Sequence, residues 1–232
     1  MEISLSRDEL FQYLKYQTEH FFPDNYKFEG EDIVRAMDLA LDRLENCYKY
    51  IAVPAYNRNG QTYFSHLHGD QYSQFLYYLM NSLWNMSENK PICEKLVQLN
   101  RMLSGCFFTY NAGLPDVFYW SHPIGTVLGN AKYGNFFSCR HNCTVATQEK
   151  YDAEGNELSL GEGLFLGAGS SIYAKNVKIG KRVVIGAGTS IYGEKEICDD
   201  TLVVEKAGVG NVFLKWGKDI YNERMTIFNV EI

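Results

Sequence analysis

The sequence predicts an α+β chain, a helical N-terminal part followed by a parallel β-helix of six-residue repeats. Three observations carry that expectation. Up to about residue 104 the apolar residues recur at helical spacing. After Trp120 that period gives way to a fixed period of six. Across 232 residues, 46% are apolar and 22% charged, the balance of a globular protein with a proper core.

The helical signals come in order. Ser6 and Glu9 form a Ser-x-x-Glu capping box, and Leu10, Phe11, Leu14 and Phe21 then recur on one face until Pro23. Ile33, Met37, Ala40, Leu41, Leu44 and Tyr48 draw a second amphipathic stripe. A turn-rich stretch, PAYNRNGQ, separates it from a third helix near DQYSQFLYYLMNSLW. Pro91 stands where it opens a fourth, with Ile92, Leu96, Leu99 and Leu103 facing one way. Residues 1–115 are therefore expected to form the helical domain, and 116–232 the β-helix with a C-terminal tail.

The repeats are plainest from residue 160 onward. Leu160, Leu166, Ile172, Ile179, Ile185, Ile191 and Ile197 open successive units, with one extra residue before Ile179. Second positions are mostly Gly, and fifth positions are small or branched: Ser170, Val183, Thr189, Thr201. Such a period places each aliphatic residue on the shared axis of a solenoid, with Gly at tight corners. The repeats begin more raggedly with HPIGTVLG, continue through CTVAT, and are interrupted by the polar stretch from Gln148 to Glu157. Loops expelled from a regular solenoid commonly lie at a functional face.

Other features bound the function. A net charge of −6 argues against a nucleic-acid partner. No targeting signal and no membrane-spanning apolar run are visible, so a cytoplasmic protein is expected. The six cysteines contain no CxxC pair and read as buried free thiols, and nothing near Cys143 suits it to covalent catalysis. The 17 Tyr and 14 Phe suggest aromatic packing.

HPIGTVLG (His122 to Gly129), CTVAT, the polar loop, LGAGSSI and IGAGTSI, behind a helical domain, together resemble the bacterial serine acetyltransferases. The likeness covers roughly Asp116 to Val204, and it implies a left-handed β-helix, acetyl-CoA as co-substrate, no metal, and a homotrimer or dimer of trimers. It also implies that His122 is the general base taking the acceptor's proton, a task that suits an imidazole, whose free pKa is about 6.5. Asp116 is the nearest acid to orient that ring. Coenzyme A is expected along Gly167, Ala168, Gly186 and Ala187, with Lys181 and Arg182 as phosphate contacts or as a solvated corner. Two departures stand out. The family has Asp before the His where this chain has Ser121, and a second His at the end of the loop where this chain has Asn156 and Glu157. The grip on an amino acid's ammonium and carboxylate is thus altered, which favours another small acceptor, a nucleotide-linked sugar of surface-polysaccharide synthesis, over serine.

The remaining polar clusters stay open. His66, His68 and Asp70 read as metal ligands, as a helix-opening cap, or as a segment reaching the acceptor pocket. His141, 19 residues after His122 and so about one coil on, reads as a site or a loop residue. Serine O-acetylation, a γ-carbonic-anhydrase-like metal enzyme and a non-catalytic scaffold are the competing readings.

Overall fold

The computed structural model describes residues 1–147, 159–174, 178–192 and 196–232. The chain forms an N-terminal helical domain followed by a left-handed parallel β-helix, in two compact units. One comprises Met1–Lys49 and Val53–Asn111, the other Tyr50–Ala52 and Ala112–Ile232. The small excursion at 50–52 has no periodicity to announce it. Its backbone pairs with the C-terminal segment, Ala52 N–H donating to Ile227 at 2.8 Å and Asn229 N–H to Tyr50 at 3.0 Å.

In the helical unit, β1 (Glu2–Ile3) precedes α1 (Arg7–Phe21) and α2 (Glu31–Tyr48). The capping box forms: the Glu9 carboxylate accepts from the Ser6 N–H at 2.8 Å, and the Ser6 hydroxyl accepts from the Glu9 N–H at 3.3 Å. Leu10 and Leu14 are buried as expected, but Phe21 is 46% exposed, and Gln17 and Thr18 complete the buried face. The turn-rich stretch is a hairpin, β2 (Asn57–Arg58) and β3 (Gln61–Phe64), joined by Asn59 and Gly60, both at positive φ. β1 adds to β3 in parallel. α3 (Gly69–Ser87) packs against both α2 and α4 (Lys90–Ser104). Every side chain from Gln71 to Met80 is buried, which makes α3 the centre of its unit rather than an amphipathic surface helix. Two of its buried polar side chains are paired within the unit: the Gln71 amide donates to the Ala55 carbonyl and accepts from the Ser65 N–H, and the Ser73 hydroxyl meets Asn100 at 2.7 Å.

The second unit is a three-faced solenoid. Its first face stacks β4 (Phe118–Trp120), β7 (Phe137–Cys139), β10 (Phe165–Leu166), β13 (Val184–Ile185) and β16 (Thr201–Lys206). The second stacks β5 (Val127–Leu128), β8 (Thr144–Thr147), β11 (Ser171–Ala174) and β14 (Ser190–Tyr192). The third stacks β6 (Lys132–Tyr133), β9 (Ser159–Leu160), β12 (Lys178–Ile179) and β15 (Glu196–Ile197). The predicted phase of six is the observed one. Leu160, Ile179 and Ile197 are partners, as are Leu166 with Ile185 and Ile172 with Ile191, and all are at most 2% exposed. The fifth positions Ser170, Val183 and Thr189 are fully buried.

Two edges of the solenoid turn through left-handed residues in vertical columns. Phe136, Gly163, Arg182 and Asp200 lead into the first face; Gly125, Asn142, Gly169 and Gly188 lead into the second. The coil stack ends where β17 (Gly210–Lys215) runs antiparallel to β16. Beyond it α5 (Lys218–Arg224) returns to the corner, its Tyr221 hydroxyl donating to the Gly163 carbonyl at 2.6 Å. All six cysteines are free; five are buried, and Cys198 is exposed, against expectation, at a corner. Among the described residues no helix is long and apolar enough to cross a membrane.

Candidate active site

The edge between the first and second faces gathers seven of the residues singled out above. Regular coils cross it in four residues: Arg140–Cys143, Gly167–Ser170 and Gly186–Thr189. The first coil takes six, Ser121–Thr126, and its surplus carries His122. His122 is exposed and sits at φ 51°, in a tight turn whose Ile124 N–H donates to the His122 carbonyl at 2.8 Å. A left-handed residue bearing a side chain is held there at a cost, and such strain is commonly kept where it aims a functional group. Pro123 supports the turn, its carbonyl accepting from the Thr126 N–H at 3.0 Å.

The strand registers extend into columns across this edge. Trp120 pairs with Cys139, Cys139 with Leu166, and Leu166 with Ile185. One step on, Ser121, Arg140, Gly167 and Gly186 lie in a column. Counting back from Val127, Thr144, Ser171 and Ser190 gives a second column of Ile124, His141, Ala168 and Ala187. The Asn142 N–H bond to the Ile124 carbonyl, 2.9 Å, and the Gly169 N–H bond to the His141 carbonyl, 3.0 Å, confirm that phase. His141 therefore stacks beneath Ile124 in the phase of the second face, two residues on from His122, because the surplus residues shift the phase. Ser121, His122, His141, Gly167, Ala168, Gly186 and Ala187 nevertheless share one edge.

The small residues of the later coils have a packing reason of their own. A Cβ on Gly167 would stand 2.6 Å from the Ala187 nitrogen, and one on Gly186 would stand 2.9 Å from Val204. Those glycines are required by coil stacking, whereas Ala168 and Ala187 present small side chains to the open edge. Beneath the edge, Thr126, Cys143, Ser170 and Thr189 form a fully buried column. Burial pushes the Cys143 thiol up from its ordinary range, so little thiolate forms at neutral pH.

Three expected partners lie elsewhere on the solenoid. Asp116 precedes β4 and His122 follows it, so the width of the first face, about 15–20 Å of extended chain, separates them. Asp116 is not placed to orient that ring. Lys181 and Arg182 occupy the edge at the other side of the first face. There the Arg182 guanidinium pairs with Asp200 at 2.5 and 3.1 Å, and Lys181 lies 3.5 Å from Glu162. His68 and Asp70 belong to the helical unit. His68 caps α3, its Nδ1 accepting from the Gln71 N–H at 3.5 Å, and Asp70 lies in the first turn. His66 shares a hydrogen bond with the Ser4 hydroxyl at 2.8 Å. Among the described residues no three metal-ligating side chains converge. Glu157 and Asn156 lie outside the described residues.

One residue of this edge drew no attention in the sequence. Arg140 is exposed, directly beneath Ser121, with its guanidinium 6.0 Å from the Phe165 ring centroid. The 19-residue coil length that pointed to His141 places Arg140 one coil on from Ser121 by the same count, and that was the available signal.

No family model matches the chain, and no curated protein sequence matches it. Solved structures do. Serine acetyltransferase of Neisseria gonorrhoeae superposes with a TM-score of 0.63 at 18% identity, covering 94% of this chain and 84% of that one. A serine acetyltransferase in complex with CoA gives 0.61 at 16% identity over 88% of this chain and 84% of that one. Soybean serine acetyltransferase complexed with serine gives 0.57 at 17% identity, with the same coverages of 88% and 84%. At such identities the likeness is one of fold.

Proposed function

We propose that this chain is an acetyl-CoA-dependent acetyltransferase whose acceptor is a hydroxyl or amine of a small polar molecule. The observation that carries the reading is His122, exposed on the surplus turn of a solenoid edge whose third and fourth coils present only small side chains. The fold shared with acetyltransferases, one of them bound to CoA, supports it. The thioester would approach along the edge past Ala187 and Ala168. His122 takes the proton of the acceptor hydroxyl while its oxygen attacks the thioester carbonyl carbon. Collapse of the tetrahedral intermediate breaks the C–S bond, and the leaving sulfur receives the proton from the imidazolium.

Ser121, 6% exposed, bears no charge to meet an ammonium. That favours a nucleotide-linked sugar of surface-polysaccharide synthesis over a free amino acid, whose ammonium would lose hydration without gaining a partner. Serine is the second reading, favoured by the serine-bound structure among those sharing the fold. Thiol release from acetyl-CoA, followed with serine and with a panel of nucleotide-linked amino sugars, tests both. A sugar acceptor is expected to exceed serine in kcat/KM by at least about 10²-fold, the scale of one or two lost polar contacts. O-acetylserine formation with no sugar turned over would return the chain to serine acetylation. No thiol release at all would remove the acetyltransferase reading.

A further inference from the structure

We propose that Arg140 is the anion-recognition residue of this site, and that the acceptor therefore carries a carboxylate or a phosphate beside the group that is acetylated. The inference rests on the acetyl-transfer reading and deepens it.

Three observations converge on Arg140. The solenoid unit has three arginines; Arg182 is taken by Asp200, and Arg224 lies 3.8 Å from Glu223. Arg140 engages no carboxylate and no hydrogen-bond acceptor through its guanidinium among the described residues, and rests only at the margin of the Phe165 ring. Its place is fixed by backbone. The register Trp120–Cys139, with the Ser121 N–H bonded to the Cys139 carbonyl at 3.0 Å, sets Arg140 one coil beneath Ser121, the neighbour of His122. Adjacent strands lie about 4.8 Å apart, so the long Arg140 side chain, whose guanidinium here lies toward Phe165 on the next coil down, reaches the space beside His122 by turning about its own bonds. Finally, Gly167 and Gly186 stand below it in the same column, so no bulkier side chain shields that cation from the edge.

The anion it serves is not one of coenzyme A's phosphates. Reaction requires the thioester carbonyl beside His122, and the whole pantetheine arm then separates that carbon from the nearest phosphate. An arginine anchored one coil from His122 instead reaches an anion close to the acceptor's nucleophile. Its planar fork matches a carboxylate or a phosphate in two parallel hydrogen bonds, which a lysine does not reproduce. Arg140 thus supplies from the second coil the cation that was missing at the end of the polar loop.

Two acceptor pairs test this, each an anion against its neutral counterpart: L-serine with its methyl ester, and a nucleoside-diphosphate amino sugar with the free amino sugar. The wild-type protein is expected to prefer the anionic member of one pair. Preference confined to the serine pair identifies a carboxylate, and to the sugar pair a phosphate. Arg140→Ala should lower kcat/KM for the anionic member by about 10–100-fold, chiefly through KM, the worth of a charge-assisted bond, and level the preference. Arg140→Lys should restore only part of it. Preference retained by Arg140→Ala, or none in the wild type, overturns the assignment, as does a rise confined to the KM for acetyl-CoA. Thiol release that proceeds without any of these effects overturns this inference alone. Its absence with all four acceptors overturns the acetyl-transfer reading, and this one with it.

Discussion

His122 holds a left-handed conformation that costs a residue with a β-carbon roughly 1–2 kcal/mol, and that sets how its role is best tested. Asn tolerates this conformation and cannot accept the acceptor's proton as a base, so His122→Asn removes the chemistry and leaves the turn. Turnover is expected to fall by about 10²–10⁴-fold, the usual worth of general-base catalysis, with KM for acetyl-CoA and the melting temperature little changed. Near-normal turnover would dismiss His122 from the mechanism; a lowered melting temperature would give it a structural role instead. His122 was legible because a motif marked it. Asp116 is near His122 in sequence, and in a solenoid that is the wrong measure. Six residues along the chain cross a face, whereas 19 residues bring Trp120 back to its partner Cys139. Neighbours of His122 within the solenoid are found a coil away, which is also how Arg140 escaped notice.

Among the elements, those with a strong local signal were read correctly. The capping box, the Pro91 helix start and the phase of the hexapeptides each depend on residues a few positions apart. The stretch at 57–64 reads as a turn and folds as a hairpin, and Asn59–Gly60 is the pair that a tight hairpin favours. The Arg182–Asp200 corner shows what sequence spacing leaves out. Arg182 and Asp200 are 16% and 15% exposed, and both sit in the left-handed column. The Arg182 guanidinium, bonded to the carboxylate, holds the Asp200 carboxyl below its ordinary range. A depressed carboxyl contributes stability above its unfolded pKa, near 3.9, and loses it as pH falls through the lower folded value. Asp200→Asn keeps the backbone preference and removes the charge. It should destabilise the solenoid by about 1.5–3 kcal/mol near neutrality. Thermal melts from pH 7 to pH 3 should show that difference shrinking below about pH 4; a gap independent of pH would mean that the ion pair does not stabilise this corner.

At the scale of the whole molecule, the faces of the solenoid differ in what they show to solvent. The third face presents Lys132, Ser159, Lys178 and Glu196, with Lys178 and Glu196 3.6 Å apart, a surface made for water. The second presents Val127, Thr144 and Ser190, and beyond them Tyr173 and Tyr192. Those tyrosines are 41% and 61% exposed, with their rings stacked at 4.7 Å and 5°. A flat stripe of aliphatic, hydroxyl and aromatic side chains is the kind of surface that association covers. We therefore expect further copies of this chain on the second face, in the trimer or dimer of trimers that the resemblance to the acetyltransferases implies. A closed ring repeats one heterologous contact, so a single altered patch weakens every interface at once. Replacing Tyr173 and Tyr192 together by Ser removes two aromatic anchors without touching the interior aliphatic column of Leu128, Val145, Ile172 and Ile191. Light scattering of the wild type should give three copies or a multiple of three at micromolar concentration, and the double variant should shift toward monomer with its fold intact by circular dichroism. A monomeric wild type would sink the trimer. An oligomer indifferent to both substitutions would move the interface off this face, and the site at the neighbouring edge would then have to be complete within one chain.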